Sequence, residues 1–274
     1  MAARHAQSRA RKRLSRRSKA VSGFAVTTLV GTALWAWPAS GDDNDGRVDA
    51  KNAPTAAAGP EKPSARTAPK MAPNAAPRAP RAIPGLSDDV RKRIPANSRQ
   101  VLVVTGAGDD SYDSRVVLYT RDKGSKDWQP GTAWAAHNAA QGWTDDHHYG
   151  DLRSPQGIYT LTDAGGRLAA PEGTKLPYDH NGSFVANGTG VEGEPLEGAF
   201  DYVIAINYNR VPGTSPLDQQ RPEGDAKGGG VWLHVDHDGP TQGCVSLKPK
   251  VMRELLRTLD PDRHPVVVMG PPGH

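Results

Sequence analysis

The chain has 274 residues, 34 of them Lys or Arg and 30 Asp or Glu, for a formal net charge of +4. Thirty Gly and 24 Pro point to one or two domains in a loop-rich, partly extended chain. The basic total does not indicate a nucleic-acid partner: residues 1–19 hold eight Lys or Arg and no acid, whereas residues 99–274 hold 16 basic and 23 acidic side chains, a net −7.

In chain order, residues 1–41 read as a signal peptide or N-terminal membrane anchor. A basic segment precedes an apolar run from Ala20 to Trp37, and Pro38-Ala39-Ser40-Gly41 supplies small residues suited to cleavage. The run is long for the core of a signal peptide and close to the ~20 residues that span a bilayer, so both readings stay open. Ser15-Arg16-Arg17 is like a twin-arginine signal, although the following residues fit that pattern poorly. Residues 42–98 follow as a Pro/Ala-rich disordered linker. Eight Pro and eleven Ala between Lys51 and Gly85 leave no apolar periodicity, which predicts an extended, semi-rigid spacer. Leu86 to Ile94 predicts a short helix at its end.

Residues 99–274 read as one mainly β domain. Runs rich in Val, Ile and Tyr at 100–105, 115–121, 157–161, 201–208, 231–235, 244–247 and 266–269 alternate with Gly, Pro and Asp, the pattern of a β-sandwich or open barrel. One helix interrupts it in the C-terminal half. Met252, Leu255, Leu256 and Leu259 recur at helical spacing after Pro249, which predicts a scaffold helix with its apolar stripe packed on the sheet.

The chemistry concentrates near Cys244, the one thiol in the chain. Val231 to Val235 carries His234 along a strand, Asp238-Gly239-Pro240 is a turn, and Cys244 to Leu247 resumes extended chain. Strand, turn and strand bring His234 beside Cys244. A free thiol with a pKa near ~8.5 needs such an imidazole to act as a nucleophile. Gly243 lets the backbone bend, and an amide of the turn can bind an oxyanion. The competing structural role is a small buried hydrophobe. In an exported chain a lone Cys forms no internal disulfide, which favours a reactive thiol.

Thr241-Gln242-Gly243-Cys244-Val245-Ser246, with His234 upstream, resembles the signature of the L,D-transpeptidase catalytic domain, the YkuD-like family of bacterial cell-wall enzymes. Gly150-Asp151-Leu152-Arg153-Ser154-Pro155-Gln156-Gly157-Ile158-Tyr159-Thr160-Leu161 is similar to an earlier stretch of the same domains, and the likeness covers residues 99–271. The family more often has a longer gap between its His and Cys, His at the place of Gln242, and Arg or Asn at the place of Ser246. The resemblance implies the family's fold and an exported cysteine acyltransferase that cuts a peptidoglycan tetrapeptide stem before its terminal D-Ala. It implies a thioester on Cys244, transfer to an amine or water, and roles in cell-wall biogenesis and cell shape. It implies no metal or organic cofactor, and acylation by β-lactams, carbapenems especially.

Within that reading His234 is the base, the amides near Gly243 and Cys244 bind the oxyanion, and a backbone carbonyl or Asp236 orients His234. Thr241, Gln242 and Ser246 flank the nucleophile as candidate substrate contacts. Arg153 is the candidate clamp for a stem carboxylate. Asn207, with Tyr208 and Arg210, either lines the groove or is strand-end polarity. Trp128, Trp134 and Trp143 either stack on sugars or pack in the core. His147-His148 beside Asp145-Asp146 reads as an exposed loop or a cleft wall. Two rivals are a zinc-dependent cell-wall hydrolase on His234, Asp236 and His237, opposed by a solvated loop at Asp236, His237 and Asp238, and a non-catalytic wall-binding module with the thiol buried.

Overall fold

A computed structural model describes residues 81–274. The expected leader, residues 1–41, and most of the expected linker lie outside the described residues. Among the described residues no helix is long and apolar enough to cross a membrane.

Among the described residues twelve strands and two α-helices follow in order. They are α1 Asp88–Arg93, β1 Gln100–Gly106, β2 Asp113–Thr120, β3 Gln129–His137, β4 Trp143–Thr144, β5 Ser154–Pro155 and β6 Gly157–Thr160. Then come β7 Ala164–Gly166, β8 Tyr178–His180, β9 Val203–Ala205, β10 Trp232–Val235, β11 Val245–Leu247, α2 Pro249–Thr258 and β12 Val266–Gly270. Ten strands form a single curled sheet, a half-barrel, in the order β6-β12-β1-β2-β3-β11-β10-β9-β7-β8, and β4 pairs with β5 apart from it. The domain is therefore mainly β, as one open sheet rather than two facing sheets.

Alternation along the central strands gives the sheet two apolar faces. Leu102 and Val104 of β1, Val116 and Leu118 of β2, and Val267 and Met269 of β12 join one core with the inner residues of β10 and β11. Helix α2 covers that core with Val251, Met252, Leu255 and Leu256, the stripe its spacing predicts. Gln100 fastens the far end of the helix, donating to Thr258 O at 2.8 Å and accepting from Asp260 N at 2.9 Å.

The other face of the same strands presents Val101, Val103, Val117, Tyr119, Val266 and Val268. Ile83, Leu86 and Val90 cover it, which corrects the linker boundary at residue 98: the folded unit already includes residues 83–98. The Pro/Ala bias of the segment hid three apolar side chains that a sheet buried on both faces requires. Helix α1 is short but well terminated, with Ser87 Oγ accepting from Val90 N at 3.2 Å and Asp88 and Asp89 in its first turn.

Strand β3 was not expected. Its Pro130, Gly131 and alanines have low β propensity, and it is held as a strand by β2 on one side and β11 on the other. The tryptophans take the packing role: Trp128 and Trp143 are buried, and Trp134 packs half-buried against the main core.

Candidate active site

Leu233, Val235, Val245 and Leu247 face the core, so Trp232, His234 and Ser246 lie on the opposite face of β10 and β11. The two strands are neighbours, but they run parallel, with Leu233 opposite Val245 and His234 opposite Ser246. The expected strand, turn and strand are therefore joined by a crossover and not by a tight reversal. The link from Asp236 to Cys244 is shorter than the about a dozen residues usual between parallel neighbours. It holds because Thr241 is tied to the segment after β3: its N–H donates to Asn138 O at 2.9 Å, and its carbonyl accepts from Ala140 N at 3.0 Å.

Cys244 sits just ahead of β11, partly exposed. Its carbonyl accepts from Thr241 Oγ1 at 2.7 Å and from Ser154 Oγ at 3.3 Å, so two hydroxyls fix the peptide that carries the thiol. The sulfur accepts from the Trp232 amide at 3.4 Å and donates to the Gly230 carbonyl at 3.6 Å. Burial pushes the thiol up to about 11, opposed by the Trp232 amide, which favours the thiolate.

His234 is 3% exposed. Its Nδ1 lies 2.9 Å from the Val235 carbonyl, and because a carbonyl only accepts, Nδ1 carries the proton and Nε2 the lone pair. This identifies the orienter as a backbone carbonyl and not Asp236. Burial pulls the imidazole down to about 4, against the Val235 hydrogen bond, so thiol and imidazole are both neutral at pH 7. The ring packs edge-on to Phe200 at 5.5 Å and stacks on His237 at 5.6 Å with 10° between planes.

One cavity of about 340 Å³ is lined by both groups. His147, Phe200, the run Gly228-Gly229-Gly230, His237 and Thr241 to Gly243 complete much of its wall. The three glycines of the run have φ of 66°, 155° and 67°, conformations that favour glycine, and they keep that wall free of side chains. A cleft containing a thiol, a neutral imidazole with a free lone pair and an amide aimed at the sulfur can carry out nucleophilic attack on a carbonyl.

The expected site residues divide. Cys244, His234, Gly243, Thr241 and Gln242 all line the cavity. Gly243 does so without a left-handed backbone, so a bend is not what it supplies, and its amide already donates to Thr241 Oγ1 at 3.3 Å. Arg153 does not line the cavity. Its guanidinium donates to Asp110 Oδ1 at 3.0 Å and Trp143 O at 3.1 Å. Asn207 is likewise turned to Thr160, Thr162 and Arg210. Ser246 is fully buried and donates to Asp236 Oδ1 at 3.0 Å.

Asp236 also meets His137 Nδ1 and Lys248 Nζ, each at 2.9 Å. Burial works against its charge, but Lys248, His137 and Ser246 together hold it at about 2. The zinc reading on His234, Asp236 and His237 lacks convergent ligands as a result, and among the described residues no three His, Cys, Asp or Glu side chains are grouped to hold a metal. The solvated-loop reading fails too for Asp236 and His237. His237 lines the cavity with Nδ1 3.1 Å from Glu194 Oε1, both side chains largely buried, the pair close but off line for a hydrogen bond.

Three contributors were missed or left undecided in the sequence. Ser154 stands inside the quoted Gly150–Leu161 stretch, beside the more conspicuous Arg153. His147 is a wall of the cleft and not an exposed loop residue. Glu194 carries no local signal beyond its charge. Compared with protein-family models, with curated proteins and with solved structures, the chain matches none.

Proposed function

We propose that the chain is an exported cysteine acyltransferase of the L,D-transpeptidase, YkuD-like type, with that family's fold, acting on peptidoglycan tetrapeptide stems. The observation that carries the reading is the shared cavity of Cys244 and His234, with His234 Nδ1 tied to Val235 O and the Trp232 amide 3.4 Å from the sulfur. The motif around Cys244 and the stretch that supplies Ser154 add to it. The acidic domain behind a basic, apolar leader supports export to the cell wall or the outer face of the membrane.

In the free enzyme the pair is neutral. When a stem peptide enters, the thiol proton passes to His234 Nε2 as sulfur attacks the carbonyl between the third residue and the terminal D-Ala. The proton moves between two neutral partners rather than out of an ion pair. The Cys244 amide is the donor assigned to the oxyanion, on a residue whose carbonyl is held by Thr241 and Ser154. The imidazolium then gives its proton to the departing D-Ala amine and leaves a thioester. Attack by an amine of a second stem, or by water, frees the sulfur.

Intact-mass spectrometry after exposure to a carbapenem tests this directly. One adduct on the native chain and none on Cys244→Ala is the expected result. No adduct on the native chain, with Cys244 also inert to iodoacetamide and binding to purified wall intact, would leave a wall-binding module in its place. Activity abolished by EDTA and retained by Cys244→Ala would instead restore the zinc hydrolase.

A further inference from the structure

Besides the stacked His234 and His237, a third imidazole lines the cavity, from a different stretch of chain. His147 lies in the loop between β4 and β5, is 7% exposed, and packs edge-on to Tyr208 at 5.3 Å. Its Nδ1 is 3.0 Å from Asp151 Oδ1, slightly off line for a hydrogen bond, a looseness common in unliganded sites that tighten with substrate. Asp151 is itself held, accepting from His148 N at 2.8 Å and Arg153 N at 2.9 Å. The other ring nitrogen looks toward the gap between two backbones: a Cβ on Gly228 would sit 3.2 Å from Nε2, and one on Gly243 3.9 Å. That gap adjoins the nucleophile's own peptide. Burial keeps the ring below the ordinary histidine range, against the pull of Asp151 and the Arg153 carbonyl.

We propose that His147, oriented by Asp151, is the base for the second half-reaction, taking the proton from the amine or water that resolves the Cys244 thioester. The inference rests on the acyltransferase reading. His234 has by then returned its proton to the departing D-Ala. As the acceptor nitrogen bonds to the thioester carbonyl, its proton passes to His147 Nε2 and the C–S bond breaks. The thiolate that leaves takes one proton from solvent, and His147 returns one to solvent, so the cycle closes.

The test separates the two halves, using the full chain with a stem tetrapeptide as donor and glycinamide as acceptor. For His147→Gln the rate of acyl-enzyme formation, read by intact mass, is expected to stay within about threefold of native, while turnover falls about 100-fold and the thioester accumulates. With hydroxylamine, which is unprotonated at neutral pH, the defect should shrink below about tenfold, a selectivity that misfolding does not produce. Asp151→Asn, which leaves the ring in place, should shift the same partition to a smaller extent. Equal losses in acylation and turnover, or an unchanged partition in both variants, overturn the assignment. A native chain that forms no thioester overturns the acyltransferase reading as well.

Discussion

Ser154 and Cys244, 90 positions apart, meet through one hydrogen bond: the serine hydroxyl donates to the cysteine carbonyl at 3.3 Å while accepting from the Ala139 amide at 3.0 Å. With Thr241 Oγ1, three positions away, on the same carbonyl, the nucleophile's peptide is clamped from one near and one distant stretch of chain. Ser154→Ala removes one side of the clamp and leaves the buried Ala139 amide unpaired. The expected loss is about 1–3 kcal/mol, seen as a lower denaturation midpoint at unchanged slope. Carbapenem acylation of the folded variant should slow by about tenfold, because the sulfur is less well placed. Native stability and native acylation together would show that the clamp is idle.

The neutral pair at the site predicts a stability profile with two limbs. The folded His234 titrates near 4 and an unfolded histidine near ~6.5, so between these values only the unfolded chain takes up the proton. Stability is therefore lost as pH falls through that window, by at most about 1.4 kcal/mol per pH unit. Cys244 acts at the other end. Its folded thiol ionises near 11 and an unfolded one near ~8.5, so stability is lost as pH rises between them. Urea midpoints should show a flatter acid limb in His234→Gln and a flatter alkaline limb in Cys244→Ala. Curves parallel to native in both variants would mean that neither group is desolvated as placed.

These contacts mark where local pattern carries information and where it stops. The strand with His234, the strand after Cys244 and the leucine stripe of α2 are written in short-range periodicity, and each forms where that periodicity places it. Continued strand alternation would set His237 on the face opposite His234, but β10 ends at Val235. The chain then turns, and the two rings stack. Strand β3 and the parallel register of β10 on β11 depend on partners far along the chain, which no window of residues contains.

Arg153 illustrates the same limit. Its chemistry suits a carboxylate clamp, but its partner is Asp110, an exposed acid 43 positions away. Exposed pairs of this kind contribute about 0–1 kcal/mol. Arg153→Ala is therefore expected to lower stability by no more than about 1 kcal/mol and to leave KM for the stem peptide within about twofold. Steady-state kinetics decide it: a rise in KM above about tenfold would return Arg153 to the binding site.

Gly243 gives the sharpest contrast between folding and function. It is not one of the glycines with positive φ, so alanine can adopt its backbone without strain. The added methyl would stand 3.5 Å from Arg153 O and 3.6 Å from His147 Cε1, ordinary contact distances. Gly243→Ala should thus fold at least as well as native, with up to about 1 kcal/mol gained through the less flexible unfolded chain. The methyl nevertheless fills the space between the nucleophile's peptide and the His147 ring, which an incoming acyl group must share. Transfer should fall by more than about tenfold while the thermal midpoint holds or rises. If turnover survives with the midpoint, the stem does not pass between Gly243 and His147, and the substrate must reach the sulfur from the Gly228–Gly230 side instead.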